Sequence, residues 1–148
     1  MRRTACLAFG ALLLAASIAT AQEDFRVIPA PSKSILLRAT ILGQQIDARG
    51  QAMRGELGPL QTLVVSVSAK VPDGTTFLVS VFDGTSDYLV GSLSMFLGVG
   101  QLRVAYGSSP GAGQPLLPPA NQIRQVFVAD LWGIQLEGMF PPPDTPPE

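Results

Sequence analysis

The sequence has 148 residues, no histidine, one cysteine, ten basic and eleven acidic side chains, and a hydrophobic content of 47%. Without histidine it lacks the commonest general base, the commonest transition-metal ligand and the middle member of a Ser-His-Asp triad. Beyond Arg2 and Arg3 its eight basic residues are scattered singly, so no clustered positive surface is offered to a nucleic-acid backbone, and nucleic acid is not expected as a partner.

The chain opens with Arg2 and Arg3, an apolar run from Leu7 to Ile18, and then Ala19-Thr20-Ala21. A basic start, a short apolar run and an A-x-A site make a secretory signal peptide over residues 1–21, which predicts export to the periplasm or the exterior. A retained N-terminal anchor is the alternative, although the run is shorter than the ~20 residues that span a membrane, and no later stretch does better. The mature chain would start at Gln22 and carry eight basic against eleven acidic residues, a formal charge of −3. Cys6 leaves with the signal and precedes the apolar run, which does not suit a lipoprotein anchor. An exported domain without disulfides must be held by its core, and about 127 residues suffice to bury roughly two thirds of the unfolded surface.

Residues 22–33 read as a polar arm in which Pro29 and Pro31 block a helix. From Ser34, Ile35, Leu37, Ala39 and Ile41 alternate with Leu36, Arg38, Thr40 and Leu42, the pattern of a strand. The segment from Ile46 to Glu56 contains Gly50 and Gly55 and is less apolar; it fits an edge strand with a bulge, with Arg49 and Arg54 outward. The clearest pattern lies between Leu60 and Asp83. Two alternating runs flank Pro72-Asp73-Gly74, which predicts an antiparallel hairpin turning at Val71 to Thr75, with Val65, Val67, Val79 and Val81 in the core. Gly74 supplies the positive φ that such a turn uses. Further strands are expected at Leu89 to Leu97 and Gln101 to Tyr106, reversing at Gly98-Val99-Gly100. Four prolines and three glycines make Gly107 to Asn121 a long crossing loop. A last hairpin joins Gln122–Ala129 to Gly133–Phe140 across Asp130-Leu131-Trp132, and residues 141–148 form a proline-rich tail. About eight short strands without a useful amphipathic helix predict an all-β fold over residues 34–140. An antiparallel β-sandwich is favoured, with a small barrel as the alternative.

The turns Pro72-Asp73-Gly74-Thr75, Val90-Gly91, Gly98-Val99-Gly100, Pro115 to Pro119 and Gly138-Met139-Phe140 recur in order. In them the chain from Val71 to Phe140 resembles a functionally uncharacterised exported bacterial β-sandwich domain family. The resemblance covers about half the chain and implies the fold, but no catalytic residues. The chain departs from the pattern in the expanded loop after Tyr106 and in Leu131-Trp132.

Gly107-Ser108-Ser109-Pro110-Gly111 matches G-x-S-x-G, yet a nucleophile elbow opens a helix, and Pro110-Gly111-Ala112-Gly113 opens none. A serine-lysine pair would need Lys33 or Lys70 beside Ser109, and nothing in the spacing places either there. Glu56 and Glu137 are the candidates for a glycosidase pair, which requires a separation of roughly 5–9 Å, but Glu137 alternates outward. Asp83 and Asp87 flank Gly84-Thr85-Ser86 and would supply calcium oxygens, though an Asp/Gly turn explains them as well. No cofactor is expected. Trp132 at the tip of the last hairpin is expected to fold back over the end of the sandwich; exposed, it would be a hot spot for a partner or a sugar ring. These features predict an exported, noncatalytic β-sandwich acting as a structural or adhesion-like interaction module. The alternative is a small-ligand or carbohydrate-binding domain using Trp132, Tyr88 and the Gly107 to Asn121 loop.

Overall fold

The computed structural model describes residues 32–107 and 116–142. The expected signal segment, most of the arm, Ser108 to Gly111 of the G-x-S-x-G match and residues 143–148 of the tail lie outside them. Eight strands follow one another: β1 (Lys33–Ala39), β2 (Arg49–Leu57), β3 (Leu60–Ser68), β4 (Thr76–Phe82), β5 (Asp87–Ser94), β6 (Val99–Gly107), β7 (Gln125–Asp130) and β8 (Gly133–Met139). The only helical pieces among the described residues are α1 (Ile41–Gln45) and a 3-10 turn at Ala120–Gln122. The protein is all-β, as its alternation predicts.

All the pairings are antiparallel and form one sheet in the order β5-β4-β7-β8-β1-β2-β3-β6. The sheet curls until its two edge strands, β5 and β6, pack on each other. This is the small-barrel form, nearly closed. A sandwich-like corner remains in β1, whose residues Lys33 to Leu37 pair with β2 while Arg38 and Ala39 pair with β8. Inward positions hold Leu63, Val65 and Val67 of β3, Phe77, Val79 and Val81 of β4, and Val126, Val128 and Leu136, all buried. Outward positions carry exposed Gln51, Ser92, Gln101 and Arg103. Val65, Val67, Val79 and Val81 therefore occupy the core as expected.

Three local expectations are corrected. The runs at β3 and β4 are strands with no helix between them, but they do not pair: β3 lies between β2 and β6, and β4 between β7 and β5. The Pro72–Thr75 turn is nevertheless real, with the Thr75 amide donating to the Pro72 carbonyl at 3.2 Å and Gly74 at φ +84°. It carries the chain across the barrel because its polar groups are drawn to another segment. The Gly74 amide donates to Met95 O at 2.8 Å, the Met95 amide to Thr75 O at 2.8 Å, and the Leu97 amide to Asp73 Oδ1 at 2.7 Å.

β2 is interior rather than an edge. Its inward residues are Gly50, Ala52 and Arg54; the position of Gly50 leaves room for Leu37 and Leu136, whose methyl carbons a Cβ there would meet at 3.0 and 2.9 Å. The low apolarity of β2 thus reflects space filled by its neighbours. Finally, β1 stops at Ala39, because the Thr40 hydroxyl caps α1 by accepting the Gly43 amide at 3.2 Å. Ile41 consequently leaves the strand and is exposed.

Strand direction sorts the connections into two ends. One end carries α1, the turn after Ser68, the Phe96–Val99 reversal and the β7–β8 turn. The opposite end carries the β2–β3 and β4–β5 turns, the 3-10 segment, and the described termini Ser32 and Pro142.

Candidate functional site

The β7–β8 turn is Asp130-Leu131-Trp132-Gly133. Asp130 Oδ1 accepts the amides of Trp132 at 2.8 Å and Gly133 at 3.2 Å, and also the Gln135 side-chain amide at 2.9 Å. One carboxylate oxygen therefore holds the turn from inside. Nothing lies above it: Leu131 is 101% and Trp132 85% exposed. The expectation that Trp132 folds back as a plug is overturned. Folding back would require reversing a turn that Asp130 locks, and the barrel end behind it is already occupied by α1, with Leu42 next to Gly133. A shallow groove of about 470 Å³ runs beside the indole, lined by Thr75, Thr76, Leu78, Asp130, Leu131 and Trp132.

Other exposed apolar side chains share this end. Phe96 is 65%, Leu97 77% and Ile41 80% exposed, on two further connections. The 96–99 reversal is held by paired bonds between Phe96 and Val99, at 2.8 and 3.1 Å, as well as by Asp73. Charges around the rim are mixed. The Asp47 carboxylate lies 3.4 Å from Arg49 and 3.3 Å from Lys70, and these two hold its pKa below the usual range, Lys70 contributing most.

Tyr88 is elsewhere. It pairs with Val81 near the far end of β4, whereas Trp132 stands beyond Ala129, the partner of Leu78 near the start of that strand. The Tyr88 hydroxyl donates to Asp83 Oδ2 at 3.0 Å. Asp83 Oδ1 accepts the amides of Thr85 and Ser86 at 2.7 and 2.8 Å, and these bonds lower its pKa. Both oxygens thus serve the turn, the reading set beside calcium. Among the described residues no three His, Cys, Asp or Glu side chains converge.

Glu56 and Glu137 are likewise apart. Glu56 follows Arg54, the partner of Lys33, while Glu137 pairs with Arg38 at the other end of β1. Five or more positions at about 3.3 Å each exceed the glycosidase spacing. Ser109 lies outside the described residues. Residues 116–122, the described end of the long loop, sit at the opposite end from Trp132.

Alternation arguments missed what those residues do. Arg54, expected outward, is buried. Its guanidinium donates to the carbonyls of Ala120 at 3.1 Å, Asn121 at 3.2 Å and Ile123, and lies 4.5 Å from the centroid of the Phe140 ring. Gln61 Oε1 accepts the Ala120 amide, Glu56 Oε1 accepts the Asn121 amide at 2.9 Å, and the Tyr106 hydroxyl donates to Pro118 O at 2.9 Å. Three strands thus grip one irregular segment. Every group named is turned onto backbone, and the gripped segment closes this end of the barrel. The exposed apolar rim at the other end, with the groove beside Trp132, is the candidate site. No family model, curated protein or solved structure matches the chain, so its function is argued from this geometry.

Proposed function

We propose that this protein is an exported, noncatalytic interaction module whose contact surface is the rim built around Leu131 and Trp132. The carrying observation is that a leucine and a tryptophan stand exposed on a turn locked by Asp130. Large apolar groups held rigidly outward lose little conformational freedom on docking, which is what makes aromatic residues hot spots. The described ends, Ser32 and Pro142, lie at the opposite end of the barrel from the rim. The absence of histidine and the signal-like start support the noncatalytic and exported parts of this reading.

A sugar site at Trp132 is less well supported. Carbohydrate recognition needs outward polar groups beside the ring, and Asp130 Oδ1, next to the indole, is already shared by three donors.

The test is Trp132→Ala. Unfolding free energy should change by less than about 0.5 kcal/mol, as for an exposed side chain, while binding to the cell-envelope fraction of the source organism falls at least tenfold, roughly what loss of one hot spot removes. Equal binding by the variant would overturn the proposal. Export is checked separately, by N-terminal sequencing of the secreted chain, which should begin at Gln22.

A further inference from the structure

We infer that the outer face of β1, β2, β3 and β6 is a second binding site, one that takes an acidic polysaccharide. It shares no residue with the groove beside Trp132, so it stands or falls apart from the rim. The cross-strand register puts Leu36, Gln51, Ser66 and Gln101 in one outward row over four strands, and Arg49, Ser68 and Val99 in the next row toward the rim. A shallow groove of about 730 Å³ follows these rows, with Leu36 of β1 at one side and the exposed ring of Phe96 beyond β6 at the other. Polar groups in the row are already oriented. Gln101 Nε2 donates to Ser66 Oγ at 3.0 Å, while Gln101 Oε1 and the Gln51 side-chain amide have no partner among the described residues.

Charge selects the ligand class. Singly spaced in the sequence, four of the seven basic side chains of the described residues, Arg38, Arg49, Lys70 and Arg103, are gathered on this face. Its acids are Asp47, held by Arg49 and Lys70, and Glu137, opposite Arg38. Elsewhere the acids prevail, five of the seven against Lys33, Arg124 and the buried Arg54. Arg49 and Arg103 lie two strands and four residues apart, about 16 Å at ~4.8 Å per strand and ~3.3 Å per residue, so one extended polyanion reaches both. Between them the Gln51-Ser66-Gln101 row matches sugar hydroxyls, which donate and accept at once, and a guanidinium pairs with a carboxylate through parallel bonds. An acidic peptide fits less well, because a sheet takes peptide along an open strand edge, and β2 and β3 beneath the groove are paired on both sides. Nucleic acid asks for several stacking platforms, and Phe96 is the one aromatic ring lining the groove.

The probe is polygalacturonate, titrated calorimetrically into the full chain at low salt. Binding should weaken as salt rises. Arg49→Gln and Arg103→Gln should each weaken it about tenfold, and Gln101→Ala about threefold, as the loss of a charge-assisted and of a neutral hydrogen bond would. All three positions are exposed, so their melts should match wild type. Trp132→Ala should bind the polymer as wild type does, whatever it does to envelope binding; loss of polygalacturonate binding in that variant would move the ligand to the rim and overturn the assignment. No binding by wild type, or equal binding by the arginine variants, also overturns it. Equal affinity for the uncharged, methyl-esterified polymer refutes the acidic class. Tighter binding of polyglutamate or of a single-stranded oligonucleotide refutes the polysaccharide.

Discussion

A guanidinium removed from water costs several kcal/mol unless its donors are matched, and Arg54 meets that cost with three carbonyls and the face of Phe140. Arg54→Met keeps the bulk and strands those carbonyls. It should therefore lower the unfolding free energy by roughly 2–4 kcal/mol in a urea melt. A loss under about 1 kcal/mol would show that the 118–123 segment is held without it. Its neighbour Tyr106 adds a pH dependence. Burial, with Glu56 adding to it, pushes this phenol up to about 12 from an ordinary 10.0. The folded state keeps a proton that the unfolded chain has released, so this contribution is whole below pH 10 and is lost as pH rises through about 12. Tyr106→Phe should flatten that alkaline fall in stability. Arg54 was half legible: it lies in phase with Gly50 and Ala52, the inward residues of β2, yet its charge argued outward. The carbonyls that accept it come from residues 120–123, which no spacing along β2 reveals. Trp132 failed for the complementary reason, since the gain from burying an aromatic means nothing where a locked turn leaves nothing to bury it against.

Elements were easier to recognise than their partners. Alternation placed β3 and β4 and their faces, because inward and outward are decided within the run itself, whereas β2 was legible only through its glycines. Pairing is decided between runs. Pro72-Asp73-Gly74 specifies a reversal, but whether the strands it joins lie side by side depends on Asp73 and Gly74 reaching the 95–97 backbone. A Cβ at Gly74 meets nothing within 4 Å, so Gly74→Val should carry only the strain of a β-branched residue at φ +84°, about 1–3 kcal/mol. Gly43 is the opposite case. A Cβ there would lie 2.0 Å from the Gln135 carbonyl oxygen, so α1 must lift off β8. Gly43→Ala should cost at least the upper end of the ~1–3 kcal/mol typical of overpacking, although alanine is the better helix former. A variant as stable as wild type by thermal melt would mean that α1 does not dock this way in solution.

At the scale of the molecule, stability rests on one core closed at a seam. The chain has no histidine and one cysteine, so the melting temperature should be the same in reductant and in chelator; a fall of several degrees in chelator would return attention to Asp83 and Asp87. The seam leads to the sharper expectation. β5 and β6 end the sheet order, and the single backbone bridge near their junction is Phe96 with Val99. Their contact is made by side chains instead: a Cβ on Gly100 would meet Leu93 at 2.7 Å and Met95 at 2.8 Å, and one on Gly91 would meet Leu102 at 3.5 Å. Leu93 and Met95 thus fill the space that a ladder would otherwise organise. Amides of β5 and β6 that point into the seam have no strand across from them, whereas β2, β3, β4 and β7 are paired on both sides along most of their length. Hydrogen exchange at neutral pH should therefore be fastest along one edge each of β5 and β6, through local opening, and slowest in β3 and β7, which open only with the whole barrel. Gly100→Val, which forces Leu93 and Met95 apart, should speed exchange in β5 before it affects β7. Uniform protection across all eight strands would mean that the seam is closed by a hydrogen-bonded ladder, and the barrel would then have no edge for another chain to use.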